Sequence, residues 1–113
     1  MADKLNYYAD FLAQADITTP ATTTGVYAAA AGLTTVVARI AATATGAAIN
    51  AALSITATER SAKAGRYYAV FDKADLTTYL ASYRDQEVYV IWSKTGDADM
   101  LYTPYIVTDR TEV

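Results

Sequence analysis

The residue types that most enzymes use for acid–base and nucleophilic chemistry are missing from this chain. It has no histidine and no cysteine among its 113 residues, yet it has ten tyrosines. Histidine is the usual general base, cysteine the usual thiol nucleophile, and both are common metal ligands. Tyrosine instead supplies amphipathic contact surface. The composition therefore predicts a protein that makes contacts, is not an enzyme, and has no cofactor and no catalytic or metal site.

The remaining candidates for a ligand site have simpler interpretations. Asp97 and Asp99 flank Ala98 in a glycine-containing loop, and alternating carboxylates could bind calcium. The loop lacks the further oxygen ligands and the terminal glutamate of an EF-hand, so we interpret both as turn residues that bond their own backbone. No glycine begins a phosphate-binding sequence, and no pair of the twelve acidic residues has a spacing that marks a glycosidase.

The tyrosines divide into two groups by their position in the chain. Those in regularly patterned segments, namely Tyr67 or Tyr68 together with Tyr79 and Tyr89, are predicted to pack in the core. Aromatic residues near the two ends are predicted to dock onto a partner or a second copy, because tyrosine is enriched where proteins meet. These candidate partner-binding residues are Tyr7, Tyr8, Phe11, Tyr102 and Tyr105.

Composition and charge limit the class of partner. The chain is 53% apolar and 19% charged, and much of the apolar share is alanine, which buries little area. A thin core is commonly compensated by burial against copies or partners, so we expect a homo-oligomer or an assembly component. The net charge of −3 and the scattered basic residues argue against a nucleic-acid partner.

Targeting signals are not evident in the sequence. The start, Met-Ala-Asp-Lys, lacks the basic and apolar regions of a signal peptide, and no stretch reaches about 18 apolar residues. We therefore expect a chain made in the cytoplasm, with no membrane partner.

The elements that must position these residues are expected to form one domain behind a short N-terminal arm at 1–24. Apolar residues within 6–15 have helical spacing, which allows either a short helix or an aromatic arm that lies on a neighbour. The stretch 17–24, with Pro20 and five threonines, is interpreted as an extended connector. The β-rich domain is expected to occupy 25–113.

From Gly25 onward, glycines and polar turns separate strand-forming segments. The clearest alternation runs from Ile49 to Ala57 and predicts a strand with one buried face, with an alanine-rich helix over 41–53 as the alternative. Aromatic or apolar residues on both faces of 66–71 predict a strand that is buried on both sides. Further strands are predicted over 26–31, 33–42, 87–94 and 100–107.

One short helix is predicted between the strands. Leu76, Tyr79, Leu80 and Tyr83 recur at helical spacing, so Asp75 is predicted to cap a two-turn helix. About six or seven strands with one short helix predict an all-β fold, an immunoglobulin-like β-sandwich. The Cys-Trp-Cys framework of antibody domains is missing.

The last two strands carry expectations of their own. Trp92 shares a face with Val88 and Val90 and is the candidate for the buried central aromatic. The residues around Gly96 predict a hairpin loop. Pro104 lacks a backbone donor, so its strand is expected to lie at a sheet edge or to carry a bulge.

Several strand segments also carry a family resemblance. The chain has a "Gly-Val-Tyr" opening, a "Gly-Leu-Thr-Thr-Val" strand, an "Ala-Gly-Arg-Tyr-Tyr-Ala-Val-Phe-Asp" strand and a "Val-Tyr-Val-Ile-Trp" strand. With these segments, residues 25–109 resemble the small immunoglobulin-like domains of tailed-bacteriophage structural proteins.

The resemblance implies a virion structural protein. Its leading interpretation is a capsid decoration protein that binds the major capsid protein or other virion proteins, with a head-tail, tail or baseplate adaptor as the alternative. It implies a location in the virion. A carbohydrate-binding or adhesion module that uses exposed tyrosines for stacking is a hypothesis of another class.

Overall fold

The segments richest in β-branched and aromatic residues form strands, as their propensities favour. The protein was analysed as a computed structural model, which describes residues 3–20, 27–29, 36–61, 65–94 and 99–108. The strands in these residues are β1 (Asp3–Asn6), β2 (Phe11–Asp16), β3 (Thr18–Pro20), β4 (Tyr27–Ala29), β5 (Val36–Ala41), β6 (Ser54–Thr56), β7 (Thr58–Glu59), β8 (Arg66–Phe71), β9 (Glu87–Lys94) and β10 (Asp99–Thr108). The helices are α1 (Lys73–Leu80) and two 3-10 helices, Ala51–Leu53 and Ala81–Tyr83. The prediction of a mainly β fold with one short α-helix is confirmed.

The strands form two main sheets and a two-stranded ribbon. The five-stranded sheet has the order β1-β10-β9-β5-β6, in which only β1 and β10 run parallel. The three-stranded sheet has the antiparallel order β2-β8-β7, and β3 pairs with β4. The chain passes between the two main sheets at Ala57, whose N–H donates to the carbonyl of Val36 at 2.7 Å.

The two main sheets share one cluster of buried apolar side chains. Trp92 is 1% exposed and lies in this cluster with Val88 and Val90, which confirms its predicted place. The three-stranded sheet contributes Tyr67 and Phe71, both of which are buried. Because a large aromatic side chain buries about 200 Å², these three rings supply burial that the many alanines cannot.

The N-terminal segment belongs to the sheets, and its described part, residues 3–20, does not form the expected arm. β1 pairs with β10, and β2 pairs with β8 along its full length. The helix considered for residues 6–15 is wrong. A spacing of four residues, as between Phe11 and Ala15, fits both a helix and an alternating strand, and pairing with β8 selects the strand. The predicted boundary between residues 24 and 25 lies outside the described residues.

The alternating segment from Ile49 to Ala57 is a strand only in part. Asn50 accepts a hydrogen bond from the N–H of Ala52 at 3.0 Å and caps a 3-10 helix, so β6 begins only after that helix. The prediction of which residues face the core is nevertheless correct near β6, because Leu53 is buried and Ala57 is partly buried. The alternative helix over 41–53 is not formed.

β8 buries only one of its faces, which corrects the expectation for residues 66–71. Tyr67, Ala69 and Phe71 point into the core, whereas Val70 is 48% exposed and Tyr68 is partly exposed. The strand therefore has an accessible outer face on the three-stranded sheet.

Helix α1 begins three residues earlier than predicted. Asp72 is the N-cap, and its Oδ1 accepts from the N–H of Ala74 at 3.1 Å. Asp75 is instead in the first turn, where a negative charge is favourable beside the helix N-terminus. Leu76 and Leu80 are buried, which agrees with the predicted apolar side.

The hairpin of β9 and β10 is confirmed, and β10 contains a register shift, which agrees with the predicted alternative of a bulge. Pro104 pairs with Tyr89 of β9, and β1 lies along the other side of β10 from Tyr105 onward. The register shift in the hairpin lies between Asp99 and Leu101, away from the proline. Pro104 is tolerated because it precedes the residues that pair with β1.

Candidate contact surface

Strand alternation brings aromatic and apolar side chains together on the outer face of the five-stranded sheet. The inner positions of β9 are Val88, Val90 and Trp92, so Tyr89 and Ile91 point outward. In the register of the hairpin, Tyr102 lies opposite Ile91, and Pro104 lies opposite Tyr89. We define the aromatic face as Val37, Tyr89, Ile91, Tyr102, Pro104 and Ile106.

Two tyrosines form the centre of the aromatic face. Tyr102 is 55% exposed, and its ring centroid is 5.7 Å from that of Tyr89, with the planes at 74°. This edge-to-face arrangement is a preferred one for aromatic pairs. Ile91 is fully buried, so the accessible apolar surface at this place comes from the rings and from the partly exposed Pro104.

Charged groups surround the centre and hold one of the tyrosines. The Tyr89 hydroxyl donates a hydrogen bond to Oε1 of Glu87. This bond is the main reason why the pKa of Tyr89 is raised above its usual value. Burial, the negative charge of Glu87 and the electrostatic effect of Tyr102 raise the pKa further. Lys4 and Glu87 are exposed at one margin, and Arg39 donates from Nε to the carbonyl of Gly46 at 2.9 Å. An apolar centre with a polar rim is typical of protein interfaces.

The five predicted partner-binding residues differ in exposure. Tyr8 and Tyr102 are 52% and 55% exposed, whereas Tyr7 is only 5% exposed and Phe11 and Tyr105 are half-buried. Burial raises the pKa of Tyr105, and the negative charge of Asp3 adds to the shift.

The structure does not bring Tyr8 and Tyr102 together. Tyr7, next to Tyr8, donates its N–H to the carbonyl of Thr108 at 3.1 Å. Tyr102 lies six residues before Thr108 on β10, and a strand advances about 3.3 Å per residue. The two exposed tyrosines are therefore about 20 Å apart along the sheet.

Tyr89 was predicted to pack in the core, but it lies partly exposed on the aromatic face. Side chains alternate between the two faces of β9, so Tyr89 lies on the face that Trp92 does not occupy. This alternation is visible in the sequence and could have predicted the exposure of Tyr89. Its partial exposure follows because Trp92, and not Tyr89, faces the three-stranded sheet.

A second group of polar side chains lies on the outer face of the three-stranded sheet. Cζ of Arg60 lies 4.6 Å from the centroid of the Tyr68 ring, and Nε of Arg60 donates to Oε1 of Gln14 at 3.0 Å. Arg66 makes two hydrogen bonds to Asp16, at 2.8 and 2.9 Å. Hydrogen bonding to Asp16, together with the negative charge of Asp16, raises the pKa of Arg66.

The described residues carry no cluster suited to a metal ion. Among these residues, no three histidine, cysteine, aspartate or glutamate side chains lie together in a way that could hold a metal ion. Residues 95–98, which include Asp97, lie outside the described part of the chain. None of the described helices combines the length and apolarity needed to cross a membrane.

Comparison with known proteins gives no assignment, because no family model, curated protein or solved structure matches this chain. Its function is therefore inferred from the surfaces described above.

Proposed function

We propose that this chain is a non-enzymatic binding domain that attaches to the protein surface of a larger assembly through the aromatic face. The observation that carries this proposal is the outward tyrosine pair, with Tyr102 more than half exposed and packed edge-on against Tyr89. Tyrosine side chains provide large contact area at a low entropy cost, because only two side-chain torsions must be fixed. The polar rim formed by Lys4 and Glu87 suits a surface that meets another protein.

We also propose that the fold is a variant of the immunoglobulin-like sandwich. In variable-type domains, strands G, F, C and C′ form one sheet and B, E and D lie in the other. The neighbours β10-β9-β5-β6 and β2-β8-β7 follow the same two orders, and this supports the proposal. The chain departs from antibody domains because its buried tryptophan, Trp92, lies on β9 and not on the strand corresponding to C.

The proposed assembly is a bacteriophage virion, with capsid decoration as the leading role and the major capsid protein as the partner. The resemblance of residues 25–109 to immunoglobulin-like domains of phage structural proteins supports this choice. Repeated attachment over many symmetric sites would let modest contacts add through multivalency, and a homo-oligomer would increase the effect. A head-tail, tail or baseplate adaptor would use the same face on a different virion protein.

Co-sedimentation with purified phage heads and tails tests the proposal. We expect the wild-type chain to pellet with heads and Tyr102→Ala to bind about tenfold more weakly, because central interface aromatics contribute strongly to affinity. Tyr8→Ala is the matched control, since Tyr8 is equally exposed but lies elsewhere. Pelleting with tails alone would reassign the chain to an adaptor. Binding to neither heads nor tails would contradict the virion proposal.

A carbohydrate-binding or adhesion module is the second candidate, because Tyr89 and Tyr102 could also contact a sugar ring. The angle of 74° between their rings gives no coplanar platform, so we rank this function below protein attachment. Glycan titrations followed by the NMR signals of the two rings test it. Saturable shifts that disappear in Tyr102→Ala would favour the carbohydrate function.

A further inference from the structure

The guanidinium of Arg60 is held in place on the outer face of the three-stranded sheet. It lies over the ring of Tyr68 in β8, and its Nε is bonded to Gln14 in β2. The residue's own backbone is also fixed, because its N–H donates to the carbonyl of Arg66 at 2.8 Å. Arg60 therefore reaches from the end of β7 across the whole sheet.

This arrangement leaves the outer edge of the guanidinium available. An arginine side chain has five N–H donors, and only the one on Nε is used by Gln14. No ion pair joins Arg60 to a carboxylate in the described part of the chain. Asp16 is bonded to Arg66, and Oε2 of Glu59 accepts from the N–H of Gly65 at 2.8 Å. A guanidinium that is already oriented loses less entropy when it binds a carboxylate in the two-bond geometry.

Space for such a carboxylate lies beside Arg60. A shallow cavity of about 340 Å³ opens there, and its lining residues are Thr58, Glu59, Arg60, Ser61 and Tyr68. Thr58 and Ser61 are exposed, so their hydroxyls are accessible as further donors.

An exposed pair of apolar side chains lies next to this cavity. Leu12 and Val70 are directly opposite each other on β2 and β8, and they are 45% and 48% exposed. They lie two residues along the strands from the pair formed by Gln14 and Tyr68. Two residues of a strand span about 7 Å, which is also the distance between side chains that share a face of an extended peptide.

We propose that this surface binds an extended segment of a partner protein in which an apolar residue and an acidic residue are separated by one position. The inference rests on the proposed function and adds to the aromatic face a second contact with the same assembly, on the outer face of the other main sheet. The segment lies along the outer face of β8, where Val70 and Tyr68, which lines the cavity, are two residues apart. Its apolar side chain packs on Leu12, and its carboxylate accepts hydrogen bonds from the terminal nitrogens of Arg60.

The arrangement favours a protein ligand over an acidic sugar. A sugar ring would need the open face of Tyr68, and Arg60 covers one side of that ring. The exposed pair Leu12 and Val70 offers nothing to a hydroxyl-rich ligand, but it suits an aliphatic side chain.

Peptide titration followed by NMR tests the inference without knowledge of the natural partner. The probe is the blocked peptide acetyl-Thr-Val-Thr-Glu-Thr-amide, and its control replaces glutamate by glutamine. We expect saturable shifts at the Arg60 Nε–H, the Tyr68 ring and the β2 amides. The glutamine peptide should bind about fivefold more weakly, as expected for loss of one exposed ion pair.

Two arginine variants separate recognition by Arg60 from general charge attraction. Arg60→Gln should remove the difference in affinity between the two peptides. Arg84→Gln, which alters an exposed arginine away from the three-stranded sheet, should preserve it. Equal binding of both peptides to the wild-type chain would overturn the inference. So would shifts at Arg60 with glucuronic acid and none with the glutamate peptide, which would assign the cavity to a saccharide.

Particle binding distinguishes failure of this inference from failure of the proposed function. If Arg60→Gln pellets with phage heads as well as the wild-type chain does, the peptide site is not used in attachment and the inference fails. If the glutamate peptide binds as expected while no virion component is bound, the site stands and the virion proposal fails.

Discussion

Phe11 and Tyr105 pack edge-to-face between the two main sheets, with ring centroids 5.1 Å apart and planes at 78°. Phe11 belongs to β2 and Tyr105 to β10, so their contact joins a strand of one sheet to a strand of the other. Phe11 also stacks against Phe71, with centroids 6.1 Å apart. Two residues that were predicted to contact a partner are thus engaged within the chain.

Truncating this inter-sheet contact should destabilise the fold. We expect Phe11→Ala to lower the free energy of unfolding by about 2 kcal/mol, because a half-buried ring with two aromatic neighbours is lost. Leu12→Ala is the matched control at the next, outward position and should change it by no more than about 0.5 kcal/mol. Urea unfolding measures both. Equal losses for the two variants would contradict the assigned sides of β2.

The two candidate caps of helix α1 can be separated by mutation. We expect Asp72→Ala to lower the free energy of unfolding by about 1 kcal/mol, because the N–H of Ala74 loses its acceptor. Asp75→Ala removes only a favourable charge in the first turn and should cost no more than about 0.5 kcal/mol. Thermal or urea unfolding of both variants at pH 7 makes the comparison, and a larger loss for Asp75→Ala would reverse the assignment.

Alkaline pH should weaken the fold through Tyr89 and Tyr105. The pKa of each is raised in the folded chain, for Tyr89 chiefly by the bond to Glu87 and for Tyr105 chiefly by burial. Their contribution to stability is complete below the unfolded tyrosine pKa of about 10 and is lost as the pH rises through the folded pKa. Urea unfolding midpoints should therefore fall above about pH 9.5.

A phenylalanine variant provides the control for this pH dependence. Tyr105→Phe lacks the titrating hydroxyl, so it should lose less stability between neutral and alkaline pH than the wild-type chain does. An identical loss in the variant and in the wild-type chain would show that Tyr105 does not contribute.

Gly65 occupies a backbone conformation that suits glycine. Its φ is 82°, its N–H is bonded to Glu59, and its carbonyl accepts from the N–H of Ile17 at 2.8 Å. We expect Gly65→Ala to lower the free energy of unfolding by about 1 kcal/mol, because a Cβ is strained there. Asp85 has a φ of 65°, so Asp85→Gly serves as the opposite control and should be close to neutral. A neutral Gly65→Ala would contradict the assigned turn.

The sequence predicted the elements whose local signals agree with one another. β9 combines high strand propensity with alternation about Trp92, and β10 follows it across a short loop, so the hairpin was predictable. The apolar spacing that contains Leu76 and Leu80 predicted the helix. Its start was misplaced because Asp72 and Asp75 are both capping residues, and the apolar pattern does not choose between them.

Features set by distant pairing were not predictable in the same way. The position of Phe11 and Ala15 is decided by β8 in the middle of the chain, and that of Tyr7 by Thr108 near its other end; no local pattern records this pairing. The contact of Gln14 with Arg60 joins residues 46 positions apart and depends on β2 and β7 flanking the same strand. Tyr102 was selected as a candidate from its place near a terminus, whereas the cluster of Arg60, Tyr68 and Gln14 depends on the pairing of three strands.

The parallel pairing of β1 and β10 gives the domain a direction of mechanical resistance. Asp3 lies beside Tyr105, and Asn6 lies beside Thr108. Tension applied to the chain before Asp3 and after Thr108 pulls these strands in opposite directions along their own axis. All of their hydrogen bonds then carry the load together, in shear, whereas an antiparallel terminal pair would open one bond at a time. Forced unfolding is governed by the unfolding rate, and bonds loaded together in shear keep this rate low. A domain attached at both ends would therefore unfold slowly under tension. Force spectroscopy with handles attached before Asp3 and after Thr108 measures this resistance to unfolding.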